Sequence, residues 1–198
     1  MKKIECVYRE ILYSAIEKEE TKMTQSELSK KLGLSLSIVN SAVKKLNSIG
    51  AVKILQRSFS VLDIIKILYF WASVRNLERD IIFRIRIDSP VREIERGMSN
   101  VFFTGYTGYK LRFKDVPADY SEVYVYADQR ELELIKKRIL NFKRLSEDRA
   151  NLIVLKKDNL MSLYKSIPVS QIFVDLWNLK EWYAKEFVES FEKRIGGK

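Results

Sequence analysis

Ile4, Val7, Tyr8, Ile11, Leu12 and Ala15 recur at steps of three and four. That spacing gathers them on one face and predicts an amphipathic helix over residues 3–19. A second helix is announced by Thr24, with Glu27 three positions on. In this capping box the hydroxyl takes the N–H of the third helical residue and the carboxylate reaches back to the cap. The pattern breaks at Lys31-Leu32-Gly33, where glycine supplies the left-handed conformation of a sharp turn. Ser35 then caps a third helix through Ser48, stopped by Gly50, with Leu36, Val39, Val43 and Leu46 as its inward stripe. Residues 51–55 and 58–62 read as two short paired strands with Gln56-Arg57 at their tip.

The stretch 61–74, VLDIIKILYFWASV, is the most apolar in the chain. It is too short to cross a bilayer and carries Asp63 and Lys66, so it predicts a buried helix with no membrane role. No Gly- or Pro-rich linker follows, and the helix is expected to continue through 63–80 as a rigid connector. Residues 82–87 alternate with period two, as a strand does, and 90–96 suit a short helix. Residues 101–103 fit a strand or a buried turn. A second alternating strand at 121–126 leads to a helix over 128–142, then a strand at 151–156 and two helices at 169–179 and 181–194. The whole is an α+β chain: an N-terminal unit (1–62), the connecting helix (63–80) and an α/β domain (81–198) for dimerisation or partner binding.

Composition narrows the chemistry. Among 198 residues there is one cysteine, Cys6, and no histidine. An internal disulfide, a Cys-rich zinc module, His-ligated metals and Ser-His-Asp or Cys-His catalysis are all excluded. Neither cofactor nor metal is expected. The start, MKKIECVYRE, lacks the apolar run of a secretory signal, and with the lone cysteine this suggests a reducing, cytoplasmic setting. Scarce Gly and Pro and abundant Lys, Arg, Glu and Ile resemble thermophile usage. The net charge of +10 is concentrated. Residues 22–62 hold seven basic side chains against one acidic, Glu27, so a fifth of the chain carries more than half of the excess.

Two short helices around a glycine turn form the helix-turn-helix unit. The string TQSELSKKLGLSLSIVNSAVKKLNSIGAVKIL resembles winged-helix regulators of the MarR and ArsR kind along its whole length. The resemblance implies a transcriptional regulator of double-stranded DNA whose third helix enters the major groove. With Val39, Val43 and Leu46 inward, Ser37, Asn40 and Ser41 face outward as short polar groups suited to base edges. Lys44, Lys45 and Arg57 at the tip are placed for phosphates. Thr24, Gln25 and Ser35 stand at helix N-termini, where backbone N–H groups favour phosphate. The alternative is a protein-interaction adaptor with a solvated polar face.

The pieces FFTGYTGYKLRF, SEVYVYAD and VSQIFVDLWNLKEWYAKEFVESF resemble the C-terminal domain of AbiEi-type antitoxin regulators and related archaeal regulators. That resemblance implies nucleotidyltransferase-like architecture, an autorepressor and a toxin protein as partner; a homodimer is expected from the aromatic-rich terminal helices and the two-fold symmetry of operators. An active nucleotidyltransferase needs a glycine-serine turn and paired carboxylates for metal ions. After Tyr124-Val125-Tyr126 there is only Asp128, and Asp115 and Asp119 fall in an apparent loop, so no catalysis is expected. Residues 104–108, TGYTG, lack phosphate-loop spacing and read as a turn feeding a helix. Phe102, Phe103, Tyr106, Tyr109, Phe113, Tyr120, Tyr124 and Tyr126 read as core ahead of an effector pocket. Trp177, Trp182, Tyr183 and Phe187 are core or a dimer face. The charge run 75–80 reads as a solvated helix end, and Lys136-Lys137-Arg138 as a basic cluster for flanking phosphates.

Overall fold

Why the N-terminal residues fold as they do is visible at their caps. A computed structural model, describing residues 1–142, 145–146 and 149–196, places α1 at Lys3–Glu17, α2 at Gln25–Leu32 and α3 at Leu36–Ser48. The expected capping box forms: Thr24 Oγ1 accepts the Glu27 N–H at 3.1 Å, and the Glu27 carboxylate accepts the Thr24 N–H at 3.2 Å. Gly33 ends α2 at φ +58°, and the Ser35 hydroxyl accepts the Ile38 N–H at 3.4 Å. Strands β2 (Val52–Ile54) and β3 (Phe59–Val61) pair antiparallel, as expected. A strand absent from the sequence reading, β1 (Lys22–Met23), adds to the far edge of β3. Two residues are too few to show a period.

Leu36 does not join the inward stripe. It is 53% exposed, while Val39, Ala42, Val43 and Leu46 are fully buried. Leu36 and Ser37 at the start of α3 stand clear of the core, Ile38 packs against its edge, and full burial begins at Val39.

The connecting helix is shorter than expected. α4 spans Ile64–Val74, capped by Asp63, and the backbone at Arg75 turns extended. The charge run 75–80 is therefore not a solvated helix end. Arg75 is 5% exposed, and its guanidinium bonds the carboxylate of Asp80 and the Tyr126 hydroxyl. Burying a guanidinium is costly unless its N–H groups are satisfied, and that requirement turns the chain here. A single 3-10 turn, Glu78–Asp80, follows. α4 itself is core, with Ile67, Leu68, Trp71 and Ala72 at zero exposure.

The remaining elements are β4 (Ile81–Ile87), α5 (Val91–Gly97), β5 (Phe102–Thr104), α6 (Gly105–Phe113), β6 (Val123–Ala127), α7 (Gln129–Ile139), β7 (Leu145–Ser146), β8 (Leu152–Lys156), a second 3-10 helix (Asn159–Leu163), α8 (Val169–Trp177) and α9 (Ala184–Gly196). The sheet order is β5-β6-β8-β4-β7, with β6 and β8 parallel and the other pairs antiparallel. Strand β5 runs straight into α6 with no intervening turn. At this close junction a Cβ on Gly108 would lie 2.9 Å from the Phe103 carbonyl oxygen, so only glycine fits.

Both faces of this sheet are covered. On β6, Val123, Val125 and Ala127 pack under α5 and α7, whereas Tyr124 and Tyr126 face α6, α8 and α9. The alternation in the sequence is real, but it sorts residues between two cores rather than between core and water. The second of these cores runs without a break into the N-terminal unit, from Val7 and Trp71 to Phe173 and Phe191.

Buried polar groups fasten the two halves. Asp175, fully buried on α8, accepts hydrogen bonds from Thr104 (2.7 Å), Tyr126 (2.7 Å) and Gln171 (3.0 Å), and lies 3.5 Å from the Arg75 Nε. Arg9, fully buried on α1, donates two hydrogen bonds of 2.8 Å to the Asp158 carboxylate. The core expected from the aromatics is present: Tyr106, Tyr109, Tyr124 and Tyr126 are buried, with Tyr109 edge-on to Phe187 at 5.3 Å. Phe187 is core, but Trp177 and Trp182 are exposed, at 42% and 80%.

Candidate nucleic-acid interface

Once Val39, Ala42, Val43 and Leu46 are buried, helical spacing leaves Ser37, Ser41, Lys44 and Lys45 on the solvent side of α3, all exposed. Asn40 is half-buried, because it leans across to α2. Its Nδ2 donates to the Gln25 Oε1 at 3.0 Å. This bond joins two sequence-predicted residues from separate helices and fixes how Asn40 presents its remaining amide edge. Thr24 and Ser35 are differently occupied. The Thr24 hydroxyl also donates to Glu27 at 2.8 Å, so its oxygen is spent on the cap, as is that of Ser35. What these helix starts offer a phosphate is the N–H groups of their first turns, not hydroxyl; the Thr24 N–H is itself taken by Glu27.

Arg57 is exposed at the β2–β3 tip, and Lys53 is exposed on β2. Neither they nor Lys44 and Lys45 form an ion pair among the described residues. Uncompensated cations on α3 and on the hairpin are what a phosphate backbone neutralises. Lys31 differs from the rest of the basic segment. Its ammonium pairs with Glu10, a fully buried carboxylate on α1, so it serves the fold and is lost from the basic surface. The Lys136-Lys137-Arg138 cluster is likewise engaged in part: Lys136 pairs with Glu133 at 2.9 Å and Arg138 donates to the Ser99 carbonyl.

Residues 9–53 match a family model described as winged helix-turn-helix DNA-binding. The N-terminal module is a winged helix-turn-helix. The match begins within α1 and stops in β2, the first strand of the wing. No curated protein and no solved structure matches the chain. The resemblance of the C-terminal half to AbiEi-type regulators thus finds no support from these comparisons. The three-helix core, the Gly33 turn, the capped recognition helix and the wing are all as the sequence implied.

Two residues of the winged helix were missed. Leu36, assigned inward, is an exposed apolar side chain beside Ser37 at the start of α3. Its position directly after the Ser35 cap was the available signal, since a first-turn residue is where a helix most easily overhangs its core. Lys30, exposed on the last turn of α2, is the other. Among the described residues no helix is long and apolar enough to cross a membrane, and no group of three or more acidic or Cys residues gathers as a metal site.

Proposed function

We propose that the chain is a sequence-specific regulator that binds double-stranded DNA. In this reading α3 lies in the major groove and the wing touches the flanking backbone. The observation that carries it is the exposed face of α3, where Ser37, braced Asn40, Ser41 and, unpaired among the described residues, Lys44 and Lys45 lie together on a module that matches a DNA-binding family model. Asn40 and Ser41 read bases; Lys44, Lys45 and Arg57 hold phosphates; Thr24, Gln25 and Ser35 orient the two helices on the backbone.

Fluorescence anisotropy with a selected duplex and a scrambled one tests it. Asn40→Ala or Ser41→Ala should cost about 1–3 kcal/mol on the selected site if each makes a good base contact, and almost nothing on the scrambled one. Gln25→Ala should imitate Asn40→Ala in part, because it removes the brace. Equal losses on both duplexes would remove these residues from base reading.

The chain acts as a homodimer in this reading. Support comes from Trp177 at the end of α8 and Trp182 in the turn before α9, both exposed beside Leu179. Two-fold operators present half-sites about 34–36 Å apart, which one winged helix does not span. Light scattering should return the mass of two chains, and a monomer both free and on DNA would overturn this. Nucleotidyl transfer has no place in it: the Asp128 carboxylate caps α7 by accepting the Glu131 N–H at 2.8 Å. Autorepression and a toxin partner rest on the C-terminal resemblance alone, and an adjacent nucleotidyltransferase gene is the observation that would favour them.

A further inference from the structure

One side chain on the open side of α3 does not match its neighbours. Ser37, Ser41, Lys44 and Lys45 are polar or charged, whereas Leu36, in the first turn, is apolar and 53% exposed. The core of the module closes without it, since Val39, Ala42, Val43 and Leu46 have zero exposure. A single exposed leucine means little by itself. Its place gives this one a meaning: Leu36, Asn40 and Lys44 follow one another at steps of four and so form one row along the helix. Lys44 closes that row, and Lys45 beside it adds a second exposed cation, a charge that suits a polyanion.

Asn40 is the member of the row whose hydrogen bonding is already half decided. Its Nδ2 donates one N–H to the Gln25 Oε1 at 3.0 Å. What it keeps is the other N–H and the carbonyl oxygen. That pair complements the major-groove edge of adenine, where N7 accepts and the N6 amine donates. Guanine presents two acceptors there and would set its O6 against the Asn40 carbonyl. For Leu36 the choice is narrower still, because the C5 methyl of thymine is the one apolar group on any major-groove edge. Four residues of helix rise about 6 Å, against about 3.4 Å for each base pair.

We infer, on the DNA-binding reading above, that Asn40 takes an adenine and Leu36 the methyl group of a thymine, so that the bound element carries both bases within about two pairs of each other. Leu36 is then a specificity residue that acts by apolar contact among polar neighbours. Gln25, through its bond to Asn40, is a positioning residue for the adenine.

Selection from a random duplex library with the full chain, followed by anisotropy on the selected duplex, tests this. Each thymine is replaced in turn by deoxyuridine, which loses the methyl and keeps every hydrogen-bonding group. At one position the wild type should bind about fourfold more weakly, the worth of one buried methyl. Leu36→Ala should bind the thymine and uracil duplexes equally there, with an unchanged melting temperature, because the side chain it removes is exposed. At the adenine, 7-deazaadenine removes the N7 acceptor and should cost the wild type about tenfold, and Asn40→Ala almost nothing. Leu62→Ala, at an exposed leucine of the module outside α3, should keep the whole uracil penalty. A selected element without A·T pairs, thymines all indifferent to the loss of their methyl, or a uracil penalty that survives Leu36→Ala would each overturn the thymine contact and leave DNA binding standing. A deazaadenine penalty that survives Asn40→Ala would overturn the adenine contact. Failure to select any duplex would overturn the DNA-binding reading and the base contacts with it.

Discussion

Asp158→Ala should unfold this protein more readily than any substitution on its surface, by about 3–5 kcal/mol, the cost of stripping one partner from a buried ion pair. Arg9 has zero exposure, and both of its bonds of 2.8 Å end on Asp158, with Gln171 a distant third partner at 3.5 Å. Removing the carboxylate leaves a guanidinium without its counter-charge in the seam between α1 and the C-terminal half. At roughly 2–4 °C per kcal/mol for a chain of this size, the thermal midpoint should fall by about 10 °C. If the loss comes from the stranded charge, Arg9→Met combined with Asp158→Ala should recover most of it, because an apolar side chain in that place costs little. A double variant as unstable as the single would place the loss in the cap that Asp158 gives Leu160. The pair also sets an acid limit. Burial alone would raise the Asp158 carboxyl, but the hydrogen bonds and charge of Arg9 hold it below the usual value. A carboxyl depressed in the folded state stabilises above its unfolded pKa, about 3.9, and that contribution is lost as pH falls through the folded value. Urea midpoints between pH 6 and pH 3 should therefore fall more steeply in the wild type than in the double variant.

That seam explains how far the sequence could be read. The winged helix was legible because its signals are local: a capping box within four residues, a glycine at the turn, a second serine cap, a hairpin with a two-residue tip. Each acts through the backbone nearby and is only weakly overridden by packing. Leu36 failed for the opposite reason, since its burial depends on where the neighbouring helices end, and periodicity carries no such information. Strand β1 failed because two residues hold no period. In the C-terminal half, the strands and helices other than the two-residue β7 were found, but the meaning of Val123-Tyr124-Val125-Tyr126 was not. Alternation normally separates core from water; here it separates an aliphatic core from an aromatic one threaded with hydrogen bonds. The run that holds Arg75 looked like a solvated helix end, and the pairing of Arg9 with Asp158 was not foreseen, because nothing in a sequence marks the partner across a fold, and Asp158 is 149 positions from Arg9. Of the candidate site, the stripe on α3 was legible and the Gln25–Asn40 brace was not, since it depends on the crossing of α2 and α3.

Charge gives the sharpest test of where DNA sits. Lys44 and Arg57 are exposed and unpaired among the described residues, one on the recognition helix's later turns and one at the wing tip. If each meets a phosphate, each releases condensed counterions on binding, and log affinity falls with log salt by about 0.9 per contact. Lys44→Ala and Arg57→Ala should then weaken binding to every sequence alike and flatten the salt slope by about one unit apiece. Over a fourfold rise in salt, each variant's affinity should fall roughly 3.5-fold less than the wild type's. Lys31→Ala should behave differently. Its ammonium neutralises buried Glu10, so the loss should appear in thermal stability and leave the slope almost unchanged. Lys185, paired with Glu189 on α9, and Lys193 near the end of the same helix are exposed controls that should alter neither. Salt titrations of the wild type and these five variants on one duplex separate phosphate contacts from structural and bystander charges. Unchanged slopes for Lys44→Ala and Arg57→Ala would place the DNA on a different face of the winged helix.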